Sequence, residues 1–142
     1  MKSVYFAARY SRREELNGSR SELEALGIVV TSRWLATEPR VRSEYSDEDW
    51  RNLGLIDQED VLAADALVCF TEPPGDGGSG GRQVELGMAL ALGRRVIVVG
   101  RREHIFHHLP EVEAVESWPE ALRLLVQRPD ATGARFEFSS SP

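Results

Sequence analysis

Glu85 stands where a glycine-rich loop, GGSGG (77–81), gives way to an unusually apolar run, LGMALALG. A carboxylate in the first turn of a helix is favoured by the helix dipole, which is reason enough for its presence. A buried carboxylate without a partner is costly, however, so on so apolar a helix Glu85 needs a hydrogen-bond donor or a chemical task. The loop before it points to the second reading. Gly77, Gly78, Gly80 and Gly81 around Ser79 leave backbone N–H groups open to a ligand, beside the positive end of the next helix, a site for phosphate. A plain flexible connector is the competing reading. The loop lacks the Lys-Ser/Thr ending of a Walker A sequence, and it follows the third strand, unlike a dinucleotide fingerprint.

A second carboxylate comes from DQEDVLAAD. On a helical wheel Leu53, Ile56, Asp60, Ala63 and Ala64 share one face, with Asp57 at its border and Glu59 further round. Asp60 therefore interrupts an apolar stripe, although a solvated acidic face explains the same pattern. Two carboxylates in one cleft beside an anion site suggest glycosidic-bond chemistry: one attacks or stabilises the anomeric carbon, the other handles the leaving group's proton. Tyr5, on the first strand, is suited to hold the spare oxygen of the attacking carboxylate. Arg9, Arg12, Arg13 and Arg20 crowd the first twenty residues and favour a small anionic ligand. His104, His107 and His108 form HIFHH; two of them have i, i+4 spacing, but no HExxH and no third ligand accompany them.

The elements that must position these groups alternate strictly. SVYFAAR (3–9) is a short buried strand, and residues 12–26 form a helix stopped by Gly27. IVVTSRW (28–34) is a second strand, and 35–46 a polar loop. SDEDW starts a helix that runs to about Ala64, ALVCFTE (66–72) is the third strand, and RQVELGMALALG a helix with no wide polar face, expected to be buried. RVIVVG (95–100) is a fourth strand and AVESW a short fifth, and Pro119 opens a last helix. Alternating elements with continuously apolar strands predict an α/β fold, a parallel sheet of about five strands covered on both faces. In such sheets ligands bind beyond the carboxyl ends of the strands, where AARYSRR, the 35–46 loop and TEPPGDGGSGGRQVE converge.

The chain has 142 residues, enough for one domain with its own core, and a net charge of −6, which argues against a nucleic-acid polymer as partner. No apolar run is long enough to cross a bilayer. The single cysteine, Cys69, lies in ALVCF and fits a reducing, cytoplasmic setting. Residues 1–128 are expected to form the domain, and 129–142 a tail that frays or docks through Phe136 and Phe138 on the body or on another subunit.

Taken in order, VYFAARYSRREEL, DQEDVLAAD with ALVCFTE, and SGGRQVELGMALALGRRVIVV resemble the nucleoside 2-deoxyribosyltransferase superfamily, including its nucleoside 5′-monophosphate N-glycosidases. The resemblance implies a small flavodoxin-like, Rossmann-like three-layer fold. It implies that Glu85 is the nucleophile at C1′, that Asp60 assists the departing base or positions the sugar, that Tyr5 is the strand-one tyrosine beside Glu85, and that Ser79 binds phosphate; Gly80, Gly81, Arg9 and Arg12 are expected to join Ser79 there, and Tyr5 to orient Glu85. Arg82 and Gln83 depart from the small residues often found before that nucleophile. No counterpart appears for the asparagine with which transferases complete a neighbouring subunit's site, which favours hydrolysis of a nucleotide over base exchange. The resemblance implies no metal or organic cofactor, and a homodimer or higher oligomer. The expected activity is release of free base from a (deoxy)nucleoside 5′-monophosphate. Its rivals are a deoxyribosyltransferase and a non-catalytic nucleotide sensor on the same fold.

Overall fold

A computed structural model describes residues 1–76, 78 and 80–127. Within them five parallel strands form one sheet in the order β2-β1-β3-β4-β5: β1 (Ser3–Ala7), β2 (Val29–Val30), β3 (Ala66–Phe70), β4 (Arg95–Val99) and β5 (Val112–Val115). Helices α1 (Arg13–Ala25), α2 (Asp47–Ala63), α3 (Gly81–Ala91) and α4 (Trp118–Val126) connect them. This is the flavodoxin-like order, whose direction of winding reverses between β1 and β3. The tail 129–142, with Phe136 and Phe138, lies outside the described residues.

The strands sort their side chains by the two-residue period of extended chain. Val4, Phe6, Val68, Phe70, Ile97 and Val99 pack with Leu16 and Leu23 of α1 and with Ala121 and Leu125 of α4. Tyr5, Ala7, Leu67, Cys69, Val96 and Val98 face the other way, onto Val61 of α2 and Leu86 and Ala89 of α3. A helix layer on each face of a parallel sheet gives the expected three-layer α/β fold. Tyr5 is the one polar side chain in the second group, and the reason β1 matters for the site.

Local signals act where they stand. Ser46 caps α2 by accepting from the Asp49 N–H at 3.1 Å, while the Asp49 carboxylate accepts from the Ser46 N–H at 3.0 Å, a reciprocal capping box. Gly27 (φ +81) ends the turn after α1, and Pro119 sits in the first turn of α4.

Two expectations are corrected. The second strand is only Val29–Val30, because Ser32 and Trp34 leave the sheet to cap the edge of β1: Ser32 Oγ accepts from the Phe6 N–H, and Trp34 Nε1 donates to the Phe6 carbonyl. A 3-10 turn, Arg33–Ala36, follows, and a second, Arg42–Glu44, interrupts the predicted loop. Nor is α3 buried all round. Val84 is 59% exposed, since the sheet and α2 cover only the Leu86–Ala89 side of the helix.

Candidate active site

A cleft of about 380 Å³ opens at the carboxyl ends of β1 and β3, a size typical of small-molecule sites. Its walls are Ala8, Arg9, Tyr10 and Ser11 after β1, Trp34 and Arg42 from the connection after β2, and Asp57 of α2. Gly78, Gly80, Gly81, Arg82 and Glu85 complete it from the loop and first turns of α3. All three segments that the strand order sends to this end of the sheet contribute.

Glu85 projects from α3 toward the end of β1, and the Tyr5 hydroxyl donates to its Oε2 at 2.5 Å. Tyr5 is fully buried. Burial, reinforced by Glu85, pushes its phenol far above the ordinary tyrosine range, so the hydroxyl stays a donor at every working pH. Glu85 is pushed up to about 8, mainly by burial, with the Tyr5 hydrogen bond pulling the other way and Asp57 adding to the rise. Asp57, half-buried, is pushed up to about 6 by burial and by the charge of Asp60, against the pull of Arg33. Two carboxyl groups of unequal acidity thus face one cleft, an arrangement suited to sharing a proton.

The structure brings Asp57 to the cleft wall, where the sequence reading put Asp60. Asp60 is 5% exposed and turned aside: its Oδ1 accepts from Arg33 Nε at 2.8 Å and its Oδ2 from the Arg33 N–H at 2.9 Å. The two aspartates are a turn apart on α2, and the helix's rotation against β1 and the 33–36 turn decides which enters the cleft. Asp60 acts on the site from behind, as one of the charges that raise Asp57.

Arg12 is also displaced from its expected place. It pairs with Glu15 at 2.7 Å and Glu72 at 3.2 Å and lies over the Phe70 ring, outside the cleft lining. Arg9 is in the lining and pairs with Asp76 at 2.7 Å. Gly80, at φ +94, is the N-cap of α3 without any side-chain cap, and Gly81 begins the helix. Ser79 lies outside the described residues.

Trp34 lines the cleft, its ring set by the hydrogen bond to Phe6. Sequence reasoning passed over two further contributors. Arg82 occupies the turn of α3 before Glu85, a placement that i, i+3 spacing alone predicts. Glu103, after β4, accepts from Arg82 Nη2 at 2.5 Å, Gln83 Nε2 at 3.1 Å and the Glu72 N–H at 3.2 Å, tying the end of β3 to the start of α3. Two of the HIFHH histidines support that tie. His107 Nδ1 accepts from the Glu103 N–H at 2.9 Å, and burial lowers this imidazole to about 4, so it is neutral; His104 Nε2 meets Gln83 Oε1 at 2.6 Å.

No protein-family model and no curated protein matches this sequence. Solved structures do match in shape. A 2-deoxyribosyltransferase from the psychrotolerant bacterium Bacillus psychrosaccharolyticus superposes with a TM-score of 0.66 at 21% identity, over 92% of this chain and 94% of that one. The CMP N-glycosidase of Clostridium botulinum gives 0.55 at 21% identity, over 89% and 100%. The fold is that of a deoxyribosyltransferase and of an N-glycosidase. A conserved protein from Enterococcus faecalis shares it too, with a TM-score of 0.58 at 21% identity over 87% and 96% of the two chains. Among the described residues no helix is long and apolar enough to cross a membrane.

Proposed function

We propose that this protein is an enzyme that hydrolyses the N-glycosidic bond of a (deoxy)nucleoside 5′-monophosphate. The observation that carries the reading is the Tyr5–Glu85 hydrogen bond at the wall of a cleft that Asp57 also lines. Glu85, ionised, attacks C1′; the C1′–N bond breaks with its electron pair going to the base, and protonated Asp57 gives the base a proton. Water then attacks C1′ of the glycosyl ester, its proton passes to Asp57, and Glu85 leaves as the carboxylate. Tyr5 holds the Glu85 oxygen that does not attack. Arg9, Gly80 and Gly81 face the phosphate, and Ser79, by its place in the loop, adds a hydroxyl. Trp34 offers an aromatic face to the base.

Base exchange is the second reading, favoured by the superposition on a deoxyribosyltransferase. Incubating the protein with nucleosides and their 5′-monophosphates and reading free base by chromatography tests the first reading; a new nucleoside on adding a second base identifies the second. Turnover that survives Glu85→Ala removes Glu85 as nucleophile. Nucleotide binding with no release of base by the wild type leaves a sensor. A reducing, cytoplasmic setting fits Cys69, which is free and buried. We also propose a homodimer through the apolar groove between α3 and the 105–108 turn, where Val84, Ile105 and Phe106 are 59%, 73% and 54% exposed. Light scattering on the eluting protein reads that directly.

A further inference from the structure

We propose that Arg82 is the specificity-determining residue for phosphate in this cleft: with Arg9 it clasps a phosphate monoester dianion over Gly78, and Glu103 holds it there. The inference rests on the nucleotide reading above and names the group that would select the substrate's phosphate.

Arg82 is a cleft-lining residue, yet its side chain is only 8% exposed. A guanidinium carries five N–H donors, and among the described residues the only hydrogen bond this one makes is from Nη2 to Glu103. Its Nε is buried with no partner. A buried donor without an acceptor is unfavourable, and a phosphate oxygen in the cleft is the kind of acceptor that the remaining donors lack. Glu103 does not use up the pair's capacity, because its carboxylate also serves Gln83 and the Glu72 backbone.

The second arginine supplies the other side of the clasp. A Cβ built on Gly78 would lie 3.8 Å from Arg82 Nη1 and 3.9 and 4.0 Å from Arg9 Cγ and Nε. The two cationic side chains therefore flank one bare glycine, beside the uncapped start of the 11-residue helix α3. Their own carboxylate partners differ in a telling way. Arg82 is held by Glu103, 8% exposed, whereas Arg9 is held by Asp76, 55% exposed. A solvent-exposed pair exchanges partners at little cost, so an arriving phosphate displaces Asp76 from Arg9 while Arg82 stays fixed. Arg12, in contrast, is tied away from the cleft by Glu15 and Glu72.

The test compares the wild type with Arg82→Met, which keeps the unbranched apolar stem and removes the guanidinium, and with Gly78→Asp, which sets a carboxylate within reach of both arginines. Circular dichroism confirms that each is folded. One arm measures kcat/KM for a nucleoside and its 5′-monophosphate; the other measures binding of ribose 5-phosphate and of ribose by calorimetry. The wild type should prefer the phosphorylated member of each pair, and either variant should cut that preference about tenfold to hundredfold, the range for charged hydrogen bonds. A wild type indifferent to the phosphate, or folded variants that keep the preference, overturns the inference even if base is released. If no substrate releases base, the hydrolase reading fails by itself. The calorimetric arm then decides: ribose 5-phosphate binding lost in both variants supports Arg82, and binding absent from the wild type or unchanged in the variants refutes it.

Discussion

Replacing Tyr5 by Phe removes one oxygen from the protein and tests the centre of the proposed mechanism. The Tyr5 hydroxyl donates to Glu85 at 2.5 Å at the cleft wall, and the ring packs in the core between the sheet and the α2–α3 layer, where phenylalanine fits. A hydrogen bond to a charged group contributes about 1.5–3 kcal/mol, and ~1.4 kcal/mol is tenfold in rate, so kcat/KM should fall about 10- to 150-fold. The pH profile should move as well. With Glu85 at about 8 and Asp57 at about 6, the pair holds one proton between those values, and the profile is a bell with limbs there. The reactive arrangement, Glu85 ionised and Asp57 protonated, is the less populated form of that one-proton state, and the Tyr5 hydroxyl raises its share. Without the hydroxyl, Glu85 loses the contact that lowers its pKa, so the basic limb shifts upward. Initial rates of base release from pH 5 to 10, with circular dichroism as the control for folding, give both numbers. A folded Tyr5→Phe with wild-type kcat/KM and an unmoved basic limb would refute the role given to this pair.

The remaining predictions separate chemistry from structure. Asp57→Asn should abolish base release without lowering the unfolding temperature, because the ionised carboxylate it removes is disfavoured by burial, whereas Asp60→Asn, which leaves Arg33 half-paired, should lower the unfolding temperature and move the acid limb down, since Asp60's charge raises Asp57. Because Glu85 is raised in the folded state from an ordinary 4.5 to about 8, the native protein binds more protons than the unfolded chain in that window, and its contribution to stability is lost as pH rises through it. Glu85→Gln should flatten that loss, and melting temperatures from pH 4 to 9 that fall as steeply as in the wild type would contradict the burial of this carboxyl. Gly100→Ala should destabilise the end of β4 strongly. Its φ of +110 strains any L side chain by about 1–2 kcal/mol, and its Cβ would clash with Thr71 Oγ1, so the urea midpoint should drop well beyond that of a surface alanine.

The order of elements, the parallel sheet and its two covered faces were legible in the sequence, because burial on both sides of a strand writes a continuous apolar run. The pairing of Tyr5 with Glu85 was legible as well: one is a polar side chain in the middle of an apolar strand, the other opens an apolar helix, near the edge where such sheets bind ligands. Val29–Val30 was overextended because β-branched and aromatic residues favour extended chain, and nothing local says that Ser32 and Trp34 turn back to serve the backbone of Phe6. α3 looked buried throughout because composition reports apolar side chains and not the number of neighbours available to cover them.

What the sequence by itself determined is the set of reactive types and the topology that gathers them, both consequences of local period and of the strand order. Which aspartate enters the cleft was decided only in three dimensions. Asp57 and Asp60 differ by one turn of α2, and Arg33, brought from a different segment, takes Asp60 for itself. The same holds for the arginines: Arg12 is drawn off by Glu15 and Glu72, and Arg82 is fixed by Glu103 from beyond β4. Long-range partners, invisible to any window along the chain, settle which charges remain to meet a ligand.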